Sequence, residues 1–98
     1  MHVIVWEFEP HVGKEREFER TYSPEGDWAR LFARSPEYRG TDLLRPASGR
    51  TYLTVDRWAS QEAFAAFQER YRGDYEALDR QSETLMERER LIGRFETV

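Results

Sequence analysis

The 98-residue chain has no cysteine, no asparagine, a single lysine and only two histidines. Without cysteine there is no disulfide, no thiolate nucleophile and no cysteine-ligated zinc. His2 and His11 are the only imidazoles, and no His, Asp and Glu cluster has metal-ligand spacing on one helix face, so neither a metal nor a cofactor is expected. No apolar run reaches membrane-spanning length. Met1 leads straight into HVIVWEFEP, which alternates like a strand rather than a secretory leader, so a soluble cytoplasmic chain with no membrane partner is expected. There is no G-x-G-x-x-G and no phosphate-binding loop; the SGR at 48–50 is a turn. The 15 basic and 19 acidic residues are interspersed and leave a net charge of −4, so no basic footprint for nucleic acid exists.

What is present is aromatic. Three Trp, six Phe and five Tyr supply a packed core and exclude a disordered chain. The length fits one domain over residues 1–98. A monomer of this size buries only about 60–65% of its unfolded surface, so pairing two copies would add considerably to its core.

Residues 2–9 are β-branched and aromatic, with Ile4, Trp6 and Phe8 on one face and Val3, Val5, Glu7 and Glu9 on the other. From Lys14 the spacing turns helical through Phe18 and Tyr22. SPEGD interrupts it, with Ser23 and Asp27 as candidate caps, and Trp28, Leu31 and Phe32 follow at helical spacing. The helix is expected to end near Ser35-Pro36. A strand is predicted around Thr41 to Arg45, a turn at ASGR, and a second strand through TYLTVDRW. That strand points Leu53 and Val55 one way, and Tyr52, Thr54, Asp56 and Trp58 the other. Ser60 caps a helix carrying Phe64, Phe67 and Tyr71, Gly73 breaks or bends it, and a further helix runs through Leu85 and Met86. Glu83, Glu87 and Arg90 read as helix-surface charges, and LIGRFETV is a last strand.

The order is β-α-β-β-α-β, the split βαβ pattern. It is an α+β, ferredoxin-like fold with a four-stranded antiparallel sheet and both helices on one face. Such a sheet must show polar residues on its second face or bury that face. Here neither face of the first strand is polar at its start, which points to a homodimer packed sheet to sheet, or to a ligand.

With these residues placed, the chain resembles the antibiotic biosynthesis monooxygenase family of the dimeric α+β barrel superfamily. VGKEREFERTY, GDWARLF, GTDLLR, YLTVDRWASQEAFAAF and LMERERLIGRFE carry the likeness, which covers essentially the whole chain. The resemblance implies a homodimer of ferredoxin-like subunits forming a barrel, each with a pocket between sheet and helices. It further implies, for some members, oxidation of polycyclic phenolic compounds by molecular oxygen without metal or cofactor, and for others haem degradation. An Asn commonly orients substrate or oxygen in these enzymes; this chain has none, so that role transfers to no position.

Oxidation without a cofactor requires a flat aromatic substrate to be bound and its deprotonated form stabilised. Trp6, Trp28, Tyr52 and Trp58 are candidate walls and Arg45 and Arg57 candidate donors, while His11 or Asp56 would take the proton. Each also has a structural reading. The tryptophans fit a small core, Asp56 and Arg57 fit an ion pair, and His11 sits in a polar turn. The expected function is cofactor-independent oxidation of a small aromatic or polyketide-like compound. The alternative is a non-catalytic dimeric module that binds a small hydrophobic ligand or serves as an assembly unit. The two differ in whether a polar group such as Asp56, Arg57 or Tyr52 is buried in an aromatic pocket.

Overall fold

A computed structural model describes all 98 residues. Strand β1 (His2–Pro10) leads into helices α1 (Glu15–Tyr22) and α2 (Asp27–Phe32). The hairpin β2 (Tyr38–Leu44) and β3 (Tyr52–Trp58) follows, then α3 (Gln61–Arg70), α4 (Arg72–Glu83) and β4 (Met86–Glu96). The strands form one antiparallel sheet in the order β2-β3-β1-β4. This is the expected α+β, ferredoxin-like arrangement, with each helical crossover split in two.

Period-two alternation decides what each strand gives the core. Ile4 and Phe8 on β1, and Tyr52, Thr54 and Trp58 on β3, are buried beneath the helices. Phe18 and Tyr22 of α1 pack on Phe8; Phe32 of α2 and Phe64 and Phe67 of α3 pack on Trp58. These five helical aromatics thus meet one sheet face. Burying a ring of this size contributes about 1.5–3 kcal/mol, so this chain of aromatics dominates the stability.

Helix ends follow local chemistry. Ser60 accepts from the Ala63 amide at 3.1 Å and starts α3 as expected. Ser23, by contrast, closes α1, its amide donating to the Glu19 carbonyl, and α2 begins after Gly26 without a side-chain cap. A Cβ at Gly26 would meet the carbonyl oxygens of Arg20 and Thr21 at 2.4 and 2.6 Å, so only glycine lets α2 fold back this tightly on α1. In the β2–β3 turn Gly49 takes φ +82°, as the ASGR reading requires.

Two local expectations are corrected. The break between α3 and α4 falls at Tyr71 (φ −112°, ψ 31°), and Gly73 sits inside the first turn of α4. Helix α4 stops at Glu83, so Met86 begins β4, and Glu87 and Arg90 lie on a strand. On that strand Arg88 and Arg90 pair across to Glu9 and Glu7, both at 2.7 Å, which is the cross-strand counterpart of helical charge spacing. His2 is not frayed. β1 is an inner strand, and the His2 ring is buried with Nδ1 2.6 Å from Glu96 Oε2. Met1 and Thr97 exchange two hydrogen bonds at its end.

The second sheet face carries Val3, Val5, Leu53 and Val55, with Leu44 and Phe95 exposed by 48% and 50%. The Phe95 ring lies over Gly93 on this face. Ion pairs Arg57–Asp42, Arg90–Glu7 and Arg88–Glu9 border the apolar strip.

Candidate active site

Between sheet and helices lies a cavity of about 210 Å³. Its floor draws on every strand: Thr41 of β2, Thr54 and Asp56 of β3, Ile4, Trp6 and Phe8 of β1, and Glu89 and Arg94 of β4. The roof is Tyr22, Trp28, Phe32 and Phe64, with Tyr75 and Asp79 from α4. Trp28 is fixed in that roof by an Nε1–H bond to Ser82 Oγ at 3.1 Å and an edge contact with Tyr75 at 5.0 Å. Trp6 stacks on Phe8 with ring centroids 6.1 Å apart.

The sheet register places four of these residues in one row. Thr41 is opposite Asp56, Asp56 opposite Ile4, and Ile4 opposite Arg94. At the usual strand spacing the Cα atoms of Asp56 and Arg94 stand about 10 Å apart. Thr41 Oγ1 donates to Asp56 Oδ1 at 2.6 Å, and Tyr38 Oη lies 2.6 Å from Thr41 Oγ1, so Tyr38, Thr41 and Asp56 form a hydrogen-bonded chain. Burial raises the Asp56 carboxyl to about 6, against smaller lowering effects from Thr41 and Arg57. Burial likewise raises the Tyr38 and Tyr75 hydroxyls. Glu89, at the rim, is raised by desolvation first and then by Asp79 and Glu83. Arg94 enters no salt bridge; its guanidinium lies 5.5 Å from the centroid of the Phe64 ring.

The sequence candidates separate into groups. Asp56, Trp6 and Trp28 meet at the cavity. Arg57 is on the opposite sheet face, bonded to Asp42 Oδ2 at 2.7 Å. Tyr52 and Arg45 meet at Glu19: the Tyr52 hydroxyl donates to it and Arg45 grips it through two bonds of 2.9 and 2.6 Å. These bonds hold the Glu19 carboxyl below its ordinary range, Arg45 contributing most. Trp58 is fully buried beside the cavity rather than on its wall. His11 is exposed in the turn after β1, its Nδ1 2.7 Å from Glu87. Neither histidine lines the cavity, and no group of three or more His, Cys, Asp or Glu side chains is placed to hold a metal.

Arg94 and Thr41 were not among the candidates. Thr41 faces Asp56 across the hairpin, a pairing that could be read once the turn at 47–50 was placed. Arg94 was hidden by a bulge. Leu91 pairs with Trp6 and Gly93 with Val5, so Ile92 is left without a partner and every later residue of β4 changes face.

An antiparallel ferredoxin-like sheet with an aromatic cavity under its helices, and an acid of raised pKa inside, defines an α+β protein with a pocket between sheet and helices. The family model for antibiotic biosynthesis monooxygenases matches residues 1–71, and the chain belongs to that family. No curated protein matches the sequence. Among solved structures it is similar to SnoaB, a cofactor-independent oxygenase from Streptomyces nogalater. The two are 22% identical over 99% of this chain and 92% of that one, with a TM-score of 0.81. It is also similar to a MhuD variant with two manganese protoporphyrin IX bound per active site, at 27% identity, 100% and 95% coverage and a TM-score of 0.73. Rv0793 from Mycobacterium tuberculosis is 14% identical over 99% and 94% of the two chains, with a TM-score of 0.73. No helix is long and apolar enough to cross a membrane.

Proposed function

We propose that the chain is a cofactor-independent monooxygenase acting on a small aromatic or polyketide-like compound, with Asp56 as the proton acceptor. The observation that carries this reading is the Asp56 carboxylate, raised to about 6, on the floor of a cavity walled by Trp6, Trp28, Phe32 and Phe64. The family assignment supports it.

A carboxylate of this pKa is ionised at neutral pH and is basic enough to take a proton from an activated phenol or from carbon beside a carbonyl. Thr41 holds its Oδ1, which directs the other oxygen to the substrate. The resulting anion is electron-rich. It passes one electron to molecular oxygen, and the carbon and oxygen radicals combine. One oxygen atom stays on carbon as a carbonyl, and the other leaves as water with the two hydrogens of the oxidised methylene. The aromatic walls hold the ring flat and exclude bulk water, and Arg94 offers positive charge to the anion. The haem-degrading alternative has less support, since an iron porphyrin would find no imidazole on the cavity wall.

The reading includes a homodimer. The strip of Val3, Val5, Leu53, Val55, Leu44 and Phe95 is a contiguous apolar sheet face edged by ion pairs, the composition of an interface core with a charged rim. The alternative, a binding or assembly module, draws support from Arg57, whose pairing with Asp42 lies on this outer face. Oxygen uptake with a panel of anthrones and hydroquinones decides between them. The oxygenase reading expects uptake that the Asp56→Asn variant lacks, and the module reading expects none.

A further inference from the structure

The charges around the cavity are unequal. Asp56, Asp79 and Glu89 are three carboxylates against one guanidinium, Arg94, and neither Asp79, Glu89 nor Arg94 is neutralised by a salt bridge. Asp79 is half-buried on α4, while Glu89 and Arg94 are exposed at the rim, so two carboxylates border the cavity besides Asp56. A cleft lined by one sign of charge between low-dielectric walls repels ligands of the same sign. Along the sheet, Asp56 and Arg94 flank Ile4 in a single cross-strand row: an acceptor on one side of an apolar floor, and at the rim on the other a guanidinium without a hydrogen-bond partner. The volume sets the size. A cavity of ~150 Å³ holds one benzene; this one, at about 210 Å³, has room for a second fused ring, and a third would project from its mouth.

We infer that the cavity takes an uncharged two-ring hydroxy-ketone laid over Ile4, its hydroxyl donating to Asp56 and its carbonyl oxygen accepting from Arg94, and that Asp79 and Glu89 turn away analogues bearing a carboxylate. This rests on the reading of the cavity as the substrate site, and it assigns Arg94 the choice of ligand orientation and Asp79 and Glu89 the choice of ligand charge.

Anaerobic calorimetric titration tests it without turnover. The probes are a hydroxytetralone with hydroxyl and carbonyl at opposite ends, and a hydroxynaphthoic acid of the same ring size. The protein should bind the hydroxytetralone at least about tenfold more tightly than the acid. Arg94→Leu, an exposed site whose folding is checked by circular dichroism, should weaken hydroxytetralone about tenfold, the loss expected for one charge-assisted hydrogen bond. The double variant Asp79→Asn with Glu89→Gln should bring the acid to within about threefold of the hydroxytetralone. Equal or tighter binding of the acid by the unaltered protein, or an Arg94→Leu affinity that does not change, overturns the inference. Oxygen uptake from an anthrone with this binding pattern absent sinks the ligand class and leaves the oxygenase reading standing. The binding pattern intact with no uptake from any compound upholds the ligand class and removes the oxygenase.

Discussion

Thr41 Oγ1 donates to Asp56 Oδ1 at 2.6 Å across the β2–β3 hairpin, and that is the one hydrogen bond the Asp56 side chain makes at the cavity floor. Its removal by Thr41→Val leaves Asp56 buried with one oxygen unsupported. The carboxyl should then titrate above 6, because the larger of the two influences that favour its charged form is gone. A carbon-detected NMR titration of the Asp56 carboxyl reads this directly.

Asp56 should also leave a mark on stability. Its carboxyl is raised from 3.8 to about 6 on folding, so between those values the native chain holds a proton that the unfolded chain has released. Stability therefore falls as pH rises through that window. The rise corresponds to at most about 3 kcal/mol. Asp56→Asn, neutral throughout, should match the unaltered protein near pH 4 and exceed it by about 1–3 kcal/mol at pH 8, as read by urea unfolding. A variant less stable than the unaltered protein at pH 8 would contradict the burial of an unpaired carboxylate.

The tryptophans should rank by packing. Trp58 is fully buried among Phe32, Phe64 and Phe67, and Trp58→Ala should cost about 3–5 kcal/mol. Trp6 is half-buried with one face on the cavity, and Trp6→Ala should cost about 1–3 kcal/mol. Urea denaturation of the two variants checks the order. Ser60→Ala, which removes the α3 cap, should cost about 1 kcal/mol in the same assay.

The apolar face predicts self-association. Sedimentation should show a dimer at micromolar concentration, and Val55→Asp, in the middle of that face, should give a folded monomer. A clean monomer before mutation would mean that the face is left to solvent.

How far the sequence revealed this site depended on the regularity of each strand. On β1 and β3 the alternation is unbroken between His2 and Phe8 and between Tyr52 and Trp58, so the two faces, and with them Trp6 and Asp56, were readable directly. On β4 alternation fails. The run MERER has charges that suit a helix surface as well as a strand, and a bulge at Ile92 reverses the faces beyond it, which concealed Arg94. The split crossovers were visible because SPEGD and the Tyr71–Gly73 stretch interrupt the helical spacing, but which residue breaks the second was decided by backbone geometry at Tyr71. The destinations of Arg45, Tyr52 and Arg57 depended on Glu19 and Asp42, partners 26, 33 and 15 residues away that only the folded chain brings together.

The most direct test is oxygen uptake by the purified protein with an anthrone or hydroquinone, measured from pH 5 to pH 9 beside Asp56→Asn. The account predicts one molecule of oxygen consumed per substrate oxidised, a rate that rises with an apparent pKa near 6, no loss on treatment with a chelator, and a fall of about 100-fold or more in the variant. Uptake by the variant equal to that of the unaltered protein would contradict it.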